Sequence, residues 1–472
     1  MSNGKLLGAR KTRIGQHFRH AAFLWAPALA MFLAIGFAGC ERRDDPHAAS
    51  PKPVVQDLKP ALSDRTASRP NSTVRQPSSE QEPSSPTSSL RAQAPVSSEL
   101  QGKAPGSKLP LYELRMEPKD LLELERSAYS NKTFPATFTA EGVAYGPIQV
   151  RYRGAYARSW PKKPLKLIFT KDKPFDGHRH LNLNSGWRDP ALIREHLAYH
   201  VYSACGVPAS KSRMVRLDVN GQFRGLHVEV EQPEKAFALR IGLKGASIYK
   251  ASSRANQADE RDLGEEAAYQ AHYEKETQKA EGYGELQKFC RDLARATNAA
   301  EFFNSRVDLE KYINYLAASV LLQNWDAYNK NHFLVYDGQG SKKWFVVPWD
   351  LDRTLGDYWD SSFDQAQLPV TLGTQRLRGI TGWNRLQDRF FSDPGLRSRF
   401  SKRLAELLEK EFTKEKLFPI LDRLEADIAP ETTLDRSRWP GQSADLHGAI
   451  AQVKRYIERR RAYLLSEVEK MR

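Results

Sequence analysis

The sequence predicts an α+β protein whose β-rich first half meets a helical second half near residue 232. Three observations carry this. From Leu109 to Glu231 short strand-like runs alternate with turn residues, among them the hairpin turn Asn220-Gly221. From Gln232 onward apolar residues recur mainly at helical spacing. The chain of 472 residues has length for two lobes or two domains after its ends are set aside.

Taken in order, the N-terminus reads as a targeting segment over 1–40. Lys5, Arg10, Lys11, Arg13 and Arg19 form a basic region, Ala21–Phe37 an apolar one, and Ala38-Gly39-Cys40 follows directly. Small residues before a Cys resemble a bacterial lipobox, so Cys40 is the expected lipidation site and the bulk of the chain is expected outside the cytoplasm. An uncleaved signal anchor is the alternative. Glu41 after the Cys fits an outer-membrane lipoprotein better than Asp would. Residues 41–108 are rich in Pro, Ser, Gln and charge, with too little apolar surface to offset the entropy of ordering, and read as a disordered tether.

The domain is expected over 109–472, as a first lobe over 109–231 and a second over 232–472. LYELRM reads as a strand, MEPKDLLELERSA as a helix, and TFPATFTAEG, GPIQVRYRGAY and KPLKLIFT as antiparallel strands. Alternation there leaves Lys163 and Lys166 on the face opposite the apolar residues and favours Lys166 as the candidate, a solvated strand lysine being the alternative. Helical spacing marks Pro190–Gly206, and VRLDV and GLHVEVE flank the Asn220-Gly221 turn. Helices are expected over Ala267–Lys279, Tyr283–Thr297, Leu309–Gln323, Gly382–Phe391, Pro394–Glu411, Thr413–Asp427 and Ser443–Met471, with Asp308 as a cap.

Composition narrows the partners. The net charge of +15 divides into +7 from residues 1–108 (15 Lys/Arg against 8 Asp/Glu) and +8 over the remaining 364. That second excess is spread along helices, which argues against nucleic acid and suits anionic ligands. Cys205 and Cys290, 85 positions apart, read as buried hydrophobes rather than ligands, though a disulfide is open to them outside the cytoplasm. His178, His180, His196 and His200 lack a third ligand type at metal spacing and read as packing or solvent residues.

The chemistry concentrates between Asn324 and Gly356. Asp326 and Asn331 stand five apart after an apolar helix; the strands Phe333–Tyr336 and Trp344–Pro348 follow, then Asp350 and Asp352. Such an all-oxygen donor set suits a hard cation such as Mg²⁺. The Asp-x-x-x-x-Asn spacing is also that of a protein-kinase catalytic loop, with a metal-binding Asp one hairpin later and a phosphate-pairing Lys on an upstream strand. Asp326 could instead cap a turn, and Asp352 could pair with Arg353. Glu195 is a candidate partner for the lysine, or with Arg194 an exposed helix pair.

RYRGAYARSWPKKPLKLIF, LNLNSGWRDPALIREHLAYHVYSACGVPA, VNGQFRGLHVEVE, NWDAYNKNHFLVY and KWFVVPWDLDRTLG together resemble the CotH kinase family, atypical protein kinases first known from spore coats. The resemblance runs over about 109–470, and N-x-D-x-x-x-x-N with P-W-D-x-D is its most specific part. It implies a two-lobed protein-kinase-like fold, ATP with Mg²⁺ or Mn²⁺, and transfer of the γ-phosphate to Ser or Thr of secreted or surface proteins. It implies Asp326 as the catalytic Asp, Asn331 and Asp350 as metal ligands with Asp352 as ligand or neighbour, Lys166 on phosphate and Glu231 near the adenine. Where the family reads Arg-Gly-Asn-Ser-Ser, this chain has Arg153-Gly154-Ala155-Tyr156-Ala157-Arg158-Ser159, with Arg153 and Arg158 retained as phosphate-facing candidates. A monomer held to a membrane by its lipid, acting on a protein substrate, is the expected form. Two other readings remain: a surface binding or adhesion protein on a kinase-like scaffold, since ATP is scarce outside the cytoplasm, and a metal-dependent phosphohydrolase.

Overall fold

Period-two alternation over the first strands sends one set of side chains inward, and the structure closes that face on itself. In this computed structural model residues 104–252, 258–357, 364–371, 384–441 and 445–471 are described. Cys40, the targeting segment, most of the proposed tether, Tyr358 and Trp359 lie outside them.

The first half holds β1 (Leu111–Arg115), α1 (Pro118–Arg126), β2 (Phe134–Ala140), β3 (Val143–Tyr152), β4 (Leu165–Ile168), β5 (His180–Asn184), α2 (Arg194–Ala204), β6 (Ser212–Val219) and β7 (Gln222–Glu231). The strands form a closed barrel in the order β1-β2-β3-β4-β5-β7-β6. All neighbours pair antiparallel except β1 and β6, which run parallel with Leu111 opposite Arg216. Tyr112, Leu114, Phe138, Val150, Leu167, Leu183, Val215 and Leu217 fill the interior. An antiparallel sheet was expected here; closure and the β5 strand are additions of the structure. HLNLN carries Asn at buried positions, so it lacks the apolar run by which a strand is read.

The second half continues with α3 (Lys235–Arg240), β8 (Ser247–Ala251), α4 (Glu266–His272), β9 (Tyr273–Lys275), α5 (Gly284–Arg295), α6 (Ala299–Arg306), α7 (Leu309–Leu322), β10 (His332–Tyr336), β11 (Trp344–Pro348), α8 (Arg385–Ser392), α9 (Pro394–Lys410), α10 (Lys414–Arg438) and α11 (Leu446–Met471). A four-stranded sheet in the order β11-β10-β8-β9 lies within the helices. The helix expected over Ala267–Lys279 stops at His272, because Tyr273 and Lys275 turn inward as strand residues and pair with Ala251 and Tyr249. Conversely α10 runs through Pro430 to Arg438, eleven residues past the expected end at Asp427, held by its buried Ile428, Glu431, Thr432 and Asp435. Cys205 and Cys290 are both free and buried, and burial pushes the Cys205 thiol up to about 12. Three of the four histidines have separate polar neighbours: Glu231 for His178, Glu234 for His180 and Ser212 for His196. Among the described residues no helix is long and apolar enough to cross a membrane.

The C-terminal half of α10 lies against β7. Lys162 meets Asp435 at 2.6 Å and Arg216 meets Glu431 at 2.8 Å, all four side chains being at most 1% exposed. Asp435 also accepts the Leu226 amide at 2.8 Å, and Glu431 the Ala104 amide at 3.0 Å, so the chain is anchored before Leu109. Gly225, at φ +123°, is required there: a Cβ would lie 2.5 Å from Asp435 Oδ1 and 2.7 Å from Lys162 Cε. Removing one partner strands the other charge in the interior, at a typical cost of about 3–5 kcal/mol. Lys162→Ala is therefore expected to lower the unfolding free energy by about that amount in denaturant melts, with Lys162→Met/Asp435→Asn recovering most of it, since the Asn oxygen still accepts the Leu226 amide.

Candidate active site

The apolar helix α7, capped by Asp308 on the Lys311 amide at 3.3 Å, ends where Gln323 turns left-handed at φ 56°. Asn324 is buried and donates to Tyr202 Oη at 2.9 Å, which fixes the start of the loop. Asp326 follows on a short 3-10 turn at φ −91° and ψ 15°, the sparsely populated bridge region. Both its oxygens are held: Asn331 Nδ2 donates to Oδ2 at 2.9 Å, and Lys330 Nζ lies 3.1 Å from Oδ1. Asn331, itself left-handed at φ 57°, gives its backbone N–H to Ala251 O at 3.1 Å, so the loop closes onto β8. Burial raises the Asp326 carboxyl above its usual range; Lys330 opposes this and Asp350 adds to it.

Asp350 arrives two residues past the β11 end. It sits left-handed at φ 59° and ψ 63°, a conformation that costs a non-glycine residue on the order of 1 kcal/mol or more, and it turns the chain into the 3-10 segment Leu351–Arg353. Glu195, from the first turn of α2, faces it. Burial first and Asp350 second push the Glu195 carboxyl up to about 7, against Asn184, Arg153 and the Leu351 amide. Asn184 Nδ2 donates to both Glu195 oxygens, at 2.7 and 2.9 Å, and its own oxygen accepts from Arg153. Asp352 is raised well above the carboxylate range by burial, Asp350 and Glu195. Carboxylates crowded in this way are short of positive charge.

The cations come from the barrel. Lys166 on β4 pairs across to Arg151 on β3 and to Asn182 on β5. Burial lowers its amine to about 8; Glu276 opposes this, while Arg153, Arg151 and Lys250 reinforce it. Arg153 lies over Trp349, 5.4 Å from the ring centroid and one residue from Asp350. Lys163 turns away to Trp160 O at 2.9 Å.

Other expected residues lie differently. Arg158 does not face phosphate: its buried guanidinium binds Tyr129 O at 2.7 Å, Ser130 O at 3.2 Å and Asn131 Oδ1 at 2.8 Å, pinning the α1–β2 loop. The Glu231 carboxylate is engaged by Arg240, at 2.9 Å to Oε1 and 2.5 Å to Oε2, and by the Lys211 amide. Arg194 and Glu195 are not an exposed pair: they are 6% and 4% exposed, and Arg194 binds Asp189. Sequence reasoning missed Asn184, the link between Arg153 and Glu195; the alternation L-N-L-N carried a signal only once the strand was known.

The donor chemistry fits a hard cation. Asp350, Asp352 and Asn331 offer oxygen donors, and the Asp352 and Glu195 carboxyls are held above their usual range by burial and by the Asp350 charge. Among the described residues no group of three or more His, Cys, Asp or Glu side chains is placed to hold a metal ion by itself. Mg²⁺ bound by one or two carboxylates takes its remaining ligands from phosphates and water.

A family model described as CotH kinase protein matches residues 150–464. The chain belongs to the CotH kinase family. Inner spore coat protein H of Bacillus subtilis (strain 168) is 28% identical over 338 residues, covering 70% of this chain and 89% of that protein. The inner spore coat protein H-like protein of the same strain is 22% identical over 319 residues, 67% of this chain and 82% of that one. Among solved structures, the Helicobacter pylori proinflammatory kinase CtkA covers 65% of this chain and 94% of its own at 10% identity, with a TM-score of 0.30. The CotH match begins within β3 and includes every candidate residue from Arg153 to Asp352.

A pH dependence follows from Glu195. Its carboxyl titrates near 4.5 unfolded and about 7 folded, so between these values the folded protein binds more protons and loses stability as pH rises, by about 3 kcal/mol in total. Glu195→Gln is expected to remove that slope, so that in metal-free urea melts the variant gains on the wild type from pH 4.5 to pH 7.

Proposed function

We propose that this chain is a metal-dependent protein kinase, two-lobed in the kinase manner, which transfers the γ-phosphate of ATP to Ser or Thr of a secreted or surface protein. The observation that carries the reading is that Arg153 of the barrel lies over Trp349, next to Asp350, and acts on Glu195, while Asp326, bonded to Asn331, feels the Asp350 charge; Lys166 stands beside Arg153. Family membership supports the same chemistry.

In this reading Lys166 and Arg153 hold the ATP phosphates, and Asn331 and Asp350, with Asp352 beside them, hold Mg²⁺ or Mn²⁺. The cation supplies charge neutralisation on the phosphate oxygens. Asp326 orients the acceptor hydroxyl and takes its proton as the new oxygen–phosphorus bond forms and the bond to ADP breaks. Asn331 and Lys330 keep the carboxylate aimed, so catalysis is positioning and charge stabilisation. The proposal places the kinase outside the cytoplasm, tethered as a monomer to the membrane through Cys40 and the 41–108 segment, with no nucleic-acid partner.

Residues 109–472 with Mg²⁺ and labelled ATP are expected to phosphorylate themselves or a generic acceptor. Asp326→Ala is expected to lower transfer by about 10³-fold while leaving nucleotide binding intact, whereas Asp350→Ala removes metal-dependent binding. A wild type that neither binds nucleotide nor transfers phosphate would sink the reading. Phosphate release exceeding transfer would instead mark a phosphohydrolase.

Lys166 gives a second test. Its amine is charged below about 8, so nucleotide affinity is expected to fall as pH rises through 8. In Lys166→Arg, whose guanidinium stays charged, calorimetric affinity should hold through that range.

A further inference from the structure

Behind the loop that carries Asp326 lies a buried polar group that no step above uses. His332, the first residue of β10, is 2% exposed, Glu260 1% and Asn384 7%. None of them can touch a substrate. Yet their donors converge on the loop backbone. His332 Nδ1 lies 3.0 Å from both Ala327 O and Lys330 O, and since carbonyls only accept, that nitrogen carries its hydrogen. Asn384 Nδ2 donates to Tyr328 O at 2.9 Å, and the Ala258 amide to Asn329 O at 3.2 Å. Every carbonyl from Ala327 to Lys330, between the catalytic Asp and the Asn, is thus held from behind.

Glu260 ties the donors together. Its carboxylate meets His332 Nε2 at 2.8 Å and also accepts from Asn384 Nδ2. Tyr273 Oη accepts the Glu260 amide at 3.1 Å. Glu260 is itself left-handed at φ 60°, a conformation a non-glycine residue adopts when its surroundings fix it. Asn384 has a second duty, capping α8 through its oxygen on the Gln387 amide at 3.0 Å.

We propose that Glu260, His332 and Asn384 are positioning residues: a brace that fixes the backbone of 327–330 and thereby aims the Asp326 carboxylate and Asn331. The claim rests on the assignment of Asp326 above. Its physical reason is that the loop has no regular ladder of its own, so without internal donors its carbonyls would turn to water and the carboxylate would wander. A displacement of about 1 Å at a reacting group can cost on the order of 10²-fold in rate.

The full chain serves for the test, with three variants. Asn384→Ser keeps a capping oxygen for α8 and loses reach to Tyr328 O. His332→Leu removes both ring donors, and His332→Asn restores a donor where Nδ1 stood. The readouts are kcat and KM for ATP on a casein acceptor, thermal midpoint, and amide hydrogen exchange across 326–331. Expected are a kcat loss of about tenfold in Asn384→Ser and about 10²-fold in His332→Leu, with KM for ATP unchanged, faster exchange confined to the loop, and recovery of most of the rate in His332→Asn. Unchanged loop exchange in folded Asn384→Ser and His332→Leu overturns the brace whatever the activity. So does a kcat loss that only tracks the folded fraction, or one shared equally by KM. A wild type that transfers no phosphate, but whose loop exchange rises in the variants, keeps the brace and removes the kinase assignment instead.

Discussion

The site depends on an electrostatic debt. Burial first, and repulsion from Asp350 second, hold the carboxyls of Glu195 on α2 and Asp352 after β11 above their usual range, and several features of the fold keep them there. Asn184 gives both amide hydrogens to Glu195. The Asp350 backbone accepts a left-handed turn. Arg153 is laid on Trp349, close enough to act on Glu195 without pairing with it outright. Groups left short of charge in this way favour any polyvalent cation that shares the cleft with an anion, because both charges are balanced at once.

The same economy explains the division of labour between the halves. Arg353 acts on Asp352 from the same segment and Lys330 on Asp326 from the same loop, while the barrel adds Arg153, just past β3, and Lys166 on β4. There Lys166 is surrounded by Arg151, Arg153 and Lys250 as well as Glu276, so it too is short of counter-charge.

How much of this was legible in the sequence follows from how local each signal is. Asp308 as cap, α7, the β10–β11 hairpin and the spacing of Asp326, Asn331 and Asp350 were readable because each depends on neighbours within a few positions. Barrel closure was not, since the parallel pairing of Leu111 with Arg216 joins residues more than a hundred apart and no turn announces it. β5 was hidden because Asn182 and Asn184, which alternate with the inward Leu181 and Leu183, are also buried, satisfied by Gln232 and Glu195 from elements outside the strand. Arg158 was misjudged because composition shows a cation but not the backbone carbonyls of Tyr129 and Ser130 that enclose it. Glu195 could be weighed but not placed, for exposure on α2 depends on what the helix packs against.

The ion pairs under α10 differ in kind from the charges at the cleft. Lys162 with Asp435 and Arg216 with Glu431 are sealed from solvent, whereas pairs such as Arg459 with Asp364 stand largely in water. Dissolved ions screen the exposed pairs within about a Debye length, roughly 8 Å at physiological strength, but have no path to the sealed ones. The seam between barrel and helices therefore keeps its ion pairs nearly unscreened at ionic strengths that would loosen the exposed ones.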